Sequence, residues 1–365
     1  MSAYITSIGT ANPEYEITQH EVLQFMQKAH GMDKEQARKL EVLYRATGIK
    51  NRYSVLEDYK KTNGFSFFPN NEDLSPFPST KKRAQVYKEE ALNLSKAAIN
   101  DCLGKEFDKS SITHLVTVSC TGLFAPGLDI ELVNDLGLNK SIQRTAINFM
   151  GCYAAFNALK VAHAICNAND HAKVLIVCTE LCSIHFQKEN TDDNYLANAL
   201  FGDGSSAVLV QTQPTNGISL SLDQFFCDLL PNGSEEMAWE VGDYGFEMKL
   251  SAYVPDVIKN GVSALIKRLK ENIDNFSFDY YAIHPGGRKI LQVLEDALNI
   301  TKSENKYAYE VLKGYGNMSS ATILFVIKSI FDQLTSVDNN RQILSFAFGP
   351  GLTLESMVLT VTNHE

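Results

Sequence analysis

The chain has 365 residues, 44% of them apolar and 21% charged, with a formal net charge of −10. That is enough for two domains of ordinary size and a large core, while the acidic balance argues against non-specific binding to a polyanion such as nucleic acid. No apolar run reaches the roughly 20 residues of a membrane span, and the start of the chain lacks the basic and apolar regions of a secretory signal, so a cytoplasmic protein is expected.

Residues 1–6 read as a first strand, and the Asn/Pro/Ser-rich stretch 67–81 is the most loop-like. Ala91, Leu92, Leu94, Ala97 and Ala98 recur at helical spacing and predict a helix over 87–103. A strand at 114–119, a helix at 127–136 and a strand at 144–149 follow. Next come a strongly apolar helix at 153–167 and nearly continuous apolar strands at 173–179 and 206–211. Strands apolar on both faces and separated by helices imply a sheet covered on both sides. The turn Pro214-Thr215-Asn216-Gly217 divides the chain into expected halves 1–213 and 214–365. The second half repeats the order: helix 255–270, strand 279–284, helices 288–298 and 319–334, strands 342–348 and 356–362.

The halves superimpose at a constant shift. His284 lies 165 residues beyond Ser119, and Asn317 lies 165 beyond Cys152. Gly151 maps onto Gly316 and Gly122 onto Gly287 at the same offset, whereas the strand at 174–177 meets 343–346 at 169. An internal duplication is the simplest source of this pattern. The expected class is α/β, two similar halves packed in layers with the active site at their seam. A five-layered αβαβα duplication would explain the offset.

Seven cysteines are present, an odd number without C-x-x-C or zinc-ligand spacing, so neither a disulfide framework nor a metal site is expected. Cys152 differs from the others. It follows Gly151, which permits a sharp turn, and opens the apolar helix, whose unsatisfied amides are expected to lower a thiol's pKa from about 8.5. His284 ends a strand and is followed by Pro285-Gly286-Gly287, which turns the chain and leaves the ring at the sheet edge. Imidazole can activate a thiol or donate to an oxyanion. Asn317 occupies the place of a second nucleophile; its carboxamide cannot titrate and is read as an oxyanion donor. A Cys–His–Asn set without a third carboxylate suits both papain-like proteolysis and thioester carbon–carbon condensation.

Six strings narrow that choice: Ile8-Gly9-Thr10-Ala11-Asn12-Pro13, Gly151-Cys152, Leu200-Phe201-Gly202-Asp203-Gly204, His284-Pro285-Gly286-Gly287, Gly316-Asn317-Met318-Ser319-Ser320 and Phe348-Gly349-Pro350-Gly351-Leu352-Thr353. With these the chain resembles the chalcone and stilbene synthase family, the type III polyketide synthases, in a bacterial-like form rather than as a plant chalcone synthase. The resemblance implies a thiolase fold, a homodimer and an acyltransferase. In it Cys152 would carry a starter acyl group from acyl-CoA, and His284 and Asn317 would promote decarboxylation of malonyl-CoA and hold the enolate oxygen. Iterative extension and closure to a pyrone, resorcinol or phloroglucinol-type product would follow, with CoA thioesters as substrates and no permanently bound cofactor. The alternative is a single condensation of the ketoacyl-ACP synthase III or HMG-CoA synthase kind.

The same resemblance implies further roles. Phe201 matches an aromatic gatekeeper, and Met248 stands where plant enzymes have a second Phe. Trp239, the only Trp, stands where they often have a cavity-lining Gly, and so should remove volume. Cys120, Cys182 and His185 replace threonines of the plant cavity, and Ser319, Gly286 and Gly287 complete the substrate-binding set. Ala125 falls on the dimer loop in place of a Met. Arg45, Lys50 and Arg52 lie in the segment whose counterpart holds the CoA phosphates.

Overall fold

The computed structural model of the chain describes residues 2–229, 237–250, 254–273 and 276–364. In the first half the order is β1 (Tyr4–Ala11), β2 (Tyr15–Thr18), α1 (Gln19–Ala29), α2 (Lys34–Ala46), β3 (Asn51–Ser54), α3 (Thr80–Leu103) and β4 (His114–Ser119). It continues with α4 (Leu128–Asp135), β5 (Gln143–Asn148), α5 (Ala154–Ala168), β6 (Lys173–Leu181), α6 (Asp192–Leu200) and β7 (Asp203–Gln211). Then come β8 (Gly217–Leu229), β9 (Met237–Gly242), β10 (Gly245–Leu250), α7 (Val254–Asn272), β11 (Tyr280–Ile283) and α8 (Arg288–Leu298). The last elements are α9 (Lys306–Tyr315), α10 (Thr322–Phe331), β12 (Gln342–Gly349) and β13 (Thr353–His364).

Nine strands form one hydrogen-bonded ladder among the described residues, in the order β11-β12-β13-β8-β1-β7-β6-β4-β5. The two ends repeat each other: β4 pairs parallel with β6 and β6 antiparallel with β7, as β11 pairs parallel with β12 and β12 antiparallel with β13. Side chains alternate across these strands. On β4, Val116 and Val118 point to a central layer holding α5 and α10, while Leu115 points to the outer layer under α3. On β12, Ile343 and Ala347 enter the central layer, and Leu344 and Phe346 face α7 and α8. Three apolar cores separated by two stretches of sheet give the five-layered thiolase-like arrangement. The central helices carry the most buried side chains; truncating Phe156, which is fully buried, to Ala costs about 3–5 kcal/mol.

Local signals explain where expectation and structure part. Ser79 caps α3, its hydroxyl accepting from the Lys82 amide, so the helix starts at Thr80 rather than 87 and consumes the end of the polar stretch. Thr18 and Asp33 form capping boxes with Glu21 and Gln36, starting α1 and α2, which apolar periodicity alone did not reveal. Buried positions on α2 are only Leu40 and Tyr44. Helices α5 and α10 are each preceded by a 3₁₀ turn, Gly151–Tyr153 and Ser319–Ala321, so regular helix begins slightly later than predicted in both copies. The hairpin β9–β10 lies outside the large sheet and reaches over the seam between the copies.

Candidate active site

Cys152 sits within the 3₁₀ turn between β5 and α5, 9% exposed. Gly151 holds φ +79°, and a Cβ there would lie 2.2 Å from Pro350 Cδ, so only glycine allows this loop to close on the 349–351 turn. The expected depression of the thiol does not occur. Burial pushes Cys152 up to about 12; contact with Asn317 opposes the rise, the Glu180 carboxylate adds to it, and Ser319 opposes it. A rise of three units corresponds to about 4 kcal/mol, more than the ~2 kcal/mol a helix terminus supplies at best. Desolvation wins.

His284 follows β11, its amide donating to the Phe346 carbonyl at 2.8 Å and its own carbonyl accepting from Gly286 at 2.9 Å. The residue is 3% exposed, and among the described residues neither ring nitrogen has a hydrogen-bond partner. Burial alone pulls its pKa down to about 3, so at neutral pH the ring is uncharged, one nitrogen a donor and the other an acceptor. Asn317 follows Gly316, which has φ +68°. Its backbone donates to Leu200 O and accepts from Gly202 N, both at 2.9 Å, on either side of Phe201. Its side-chain oxygen accepts from the Ser319 amide at 2.9 Å. That bond assigns the carboxamide orientation, with both Nδ2 and Oδ1 3.9 Å from Cys152 Sγ.

Cys152, His284 and Asn317 line one cavity of ≈ 40 Å³, together with Cys120, Cys182, Phe201, Trp239, Met248, Gly286 and Ser319. A second chamber of ≈ 50 Å³ lies beyond Cys182, Phe201, Trp239 and Met248, which line both spaces. His185 lines only this second chamber. Its Nε2 lies 2.6 Å from the Thr121 carbonyl, its Nδ1 accepts from the Phe246 amide at 3.0 Å, and the ring stacks on Phe246 at 4.2 Å. Both nitrogens are thus used in holding β10 to the loop after β4. Trp239 and Met248 face each other across β9–β10, and the Trp239 indole donates to the Cys120 carbonyl at 2.5 Å. Trp239 is therefore a fixed wall.

Two family models, the N-terminal and the C-terminal domain of the chalcone and stilbene synthases, match residues 1–214 and 221–362. The chain belongs to the chalcone and stilbene synthase family. Relatives of this type III polyketide synthase include "Probable polyketide synthase 1" of Dictyostelium discoideum, 29% identical over 98% of this chain. This chain spans only 11% of that protein. "Alpha-pyrone synthesis polyketide synthase-like Pks18" of Mycobacterium tuberculosis is 33% identical over 74% of this chain and 70% of its own length. Among solved structures, the C-terminal type III polyketide synthase domain of Steely1 from Dictyostelium superimposes with a TM-score of 0.88 at 27% identity, covering 99% of both chains. PKS-I of the brown alga Ectocarpus siliculosus gives 0.89 at 28% identity, covering 98% of both. The family is one of condensing acyltransferases with a thiolase-like fold.

In this polyketide synthase the three expected phosphate-binding cations lie in different surroundings. Arg52 is 3% exposed, and its guanidinium donates to the Phe201 carbonyl at 2.6 Å; it supports the site from beneath. Arg45 is exposed and paired with Glu41 at 3.0 Å, and Lys50 is exposed. None of the three lines the large groove of ≈ 480 Å³ between α2, α6 and the start of α8, whose cations are Arg288, Lys289 and Lys39, the last paired with Glu35 at 2.7 Å. Gly286 and Ile290 line both this groove and the nucleophile's cavity, and Gly287 lines the groove. Arg288 and Lys289 stand in the first turn of α8, where the helix dipole disfavours cations. Ala125 is exposed and lines a surface pocket of ≈ 200 Å³ away from the nucleophile. All seven cysteines are free. Among the described residues no group is arranged to hold a metal ion, and no helix is long and apolar enough to cross a membrane.

Proposed function

We propose that this chain extends an acyl-CoA starter by decarboxylative condensation with malonyl-CoA, using Cys152 as the acyl carrier. The observation that carries this reading is the convergence of a thiol, an uncharged imidazole and an oriented carboxamide on one enclosed cavity. Loss of CO₂ from malonyl-CoA places negative charge on the thioester oxygen. The Asn317 Nδ2–H₂ and a ring N–H of His284 are neutral donors in a water-poor space, where each is worth about 3 kcal/mol of barrier. During loading, an unprotonated ring nitrogen of His284 accepts the thiol proton as the sulfur attacks the acyl-CoA carbonyl and returns it to the CoA thiolate as the old thioester bond breaks. An uncharged imidazole is what both steps need.

Substrates enter as CoA thioesters along the groove, their phosphates held by Lys39, Arg288 and Lys289, and no permanently bound cofactor takes part. Phe201 and Met248 stand at the inner constriction. The small cavity behind Trp239 favours a short starter and few extensions, closed to a small pyrone or phenolic ring. A cytoplasmic homodimer is the assembly we infer. Its support is β5, an edge strand whose residues are all exposed or half-buried, flanked by Leu123 at 53% and Met150 at 36% exposure; such an edge needs a cover. The two halves, 1–213 and 214–365, are read as one structural unit each, meeting at this site.

The test is acyl loading followed by intact-protein mass. Wild type incubated with acyl-CoA gains one acyl group, and Cys152→Ala gains none. An adduct that persists in the variant moves the nucleophile elsewhere and ends this reading.

A further inference from the structure

Charge is placed unevenly on this chain. It holds 33 Lys and Arg against 43 Asp and Glu, yet residues 34–50, which form α2 and the loop after it, hold five against two. Helix α2 is one wall of the large groove, which meets the nucleophile's cavity at Gly286 and Ile290. Arg38 and Lys50 are exposed, lie outside the groove's lining and form no ion pair among the described residues. Val42 is 60% exposed. It follows Arg38 by four residues and Lys39 by three, and precedes Arg45 by three, so the helix sets it among their side chains.

The cationic rim continues across the mouth. The loop after α2 runs against α8: a Cβ built on Gly48 would lie 3.6 Å from Arg288 Cδ. Two residues later the Lys50 amide donates to the Lys313 carbonyl at 2.8 Å, which brings the end of α9 to the same edge. Arg288, Lys289 and Lys313 are exposed and are likewise in no ion pair among the described residues. Of the nearby anions, Glu35 and Glu41 are already paired with Lys39 and Arg45. Asp192 and Asp193 on α6 and Glu310 on α9 remain, fewer than the unpaired cations.

The phosphates of a CoA thioester are met by the cations that line the groove, which leaves Arg38, Lys50 and Lys313 outside it. A ring of unpaired cations beyond the groove selects a partner by sign and steers its approach. An acyl carrier protein offers the same pantetheine thioester as CoA, mounted on an acidic protein surface in place of the nucleotide. A membrane fits less well, because Val42 is the only large apolar side chain exposed on α2 and insertion needs an apolar face. We propose that the mouth of this groove is the docking surface of an acidic acyl carrier protein, which delivers the starter while malonyl-CoA supplies the extender units. This rests on the reading of the groove as the entry to Cys152. In the transfer the Cys152 sulfur bonds the acyl carbon, the carrier's thioester bond breaks, and the thiol proton leaves on the pantetheine sulfur.

The probes are butyryl-CoA and the butyryl thioester of an acidic acyl carrier protein from bacterial fatty acid synthesis. The readout is the rate of acyl loading of Cys152 by intact-protein mass, at low and high salt. Wild type takes butyrate from both donors, and added salt slows loading from the carrier. In the double variant Arg38→Glu with Lys313→Glu, both exposed and outside the groove's lining, loading from the carrier slows by about tenfold at low salt. Loading from butyryl-CoA keeps its wild-type rate, which also shows that the variant is folded. Loading from butyryl-CoA and not from the carrier overturns the proposal and leaves the condensation reading intact. Carrier loading that the double variant does not slow overturns it too, as does a variant that slows both donors alike. Co-sedimentation of wild type with phosphatidylglycerol vesicles, lost in the variant, would give the surface to a membrane and overturn it as well. If neither donor loads Cys152, the condensation reading itself falls, and the proposal with it.

Discussion

Replacing His284 by Gln tests through stability alone whether burial keeps an extra proton off the Cys152–His284 pair. Burial takes the imidazole from its ordinary 6.5 to about 3. A base whose folded value is depressed binds fewer protons folded than unfolded, so its contribution to stability is complete above about pH 6.5 and is lost as pH falls toward 3. The slope for one such group is about 1.4 kcal/mol per pH unit, on the order of 5 kcal/mol across the window. Gln fills similar space and does not titrate. His185, also taken down to about 3, and Asp203, raised to about 6, titrate in the same range, but both are present in each protein and cancel in the difference. Urea unfolding of wild type and His284→Gln at pH 7, 6 and 5 supplies the measurement. Relative to the variant, wild type should lose stability as the buffer is acidified, by up to about 2 kcal/mol between pH 6.5 and 5. An imidazolium beside a Cys152 that stays a thiol would have a raised folded value, and the difference would run the other way. Parallel curves, or curves of the opposite sign, would refute a buried imidazole held below its ordinary value.

Asn317→Ala should cut malonyl-CoA decarboxylation by about 10²–10³ through loss of one oxyanion donor, while acyl loading of Cys152 survives; CO₂ release and intact mass read the two separately. Trp239→Ala should join the two chambers and lengthen the products or admit longer starters, at a stability cost of about 3–5 kcal/mol; an unchanged product spectrum would remove Trp239 from the cavity wall. Arg288→Ala with Lys289→Ala should raise KM for CoA thioesters and weaken its dependence on salt, whereas Arg45→Ala should leave both alone. Equal effects from the two sets would return the phosphates to the segment after α2.

The repeated order of strands and helices, the 165-residue shift and the turn glycines were all legible in the chain, because they depend on local pattern. Apolar runs in β4, β6 and α5 announce layers that must be covered, and Gly151 and Gly316 mark backbone that L-residues with side chains resist. Helix α2 was missed because only Leu40 and Tyr44 of its face are buried, whereas α1, with Val22, Leu23, Phe25, Met26 and Ala29 buried, was legible but passed over. Glu180 lies one residue beyond the strand expected at 173–179, and its partners come from 60 and 140 positions away.

Identity and order of residues thus determined which groups could react and that two copies of one unit would bring them together. Only the packed structure decided their state. Enclosure outweighed the helix terminus at Cys152 and drove both nearby histidines neutral, because desolvating a charge costs more than one aligned dipole returns. Folding also sent Arg52 inward, gave the groove to Lys39, Arg288 and Lys289, and swung Trp239 from a separate hairpin across the cavity, since these depend on where distant segments meet.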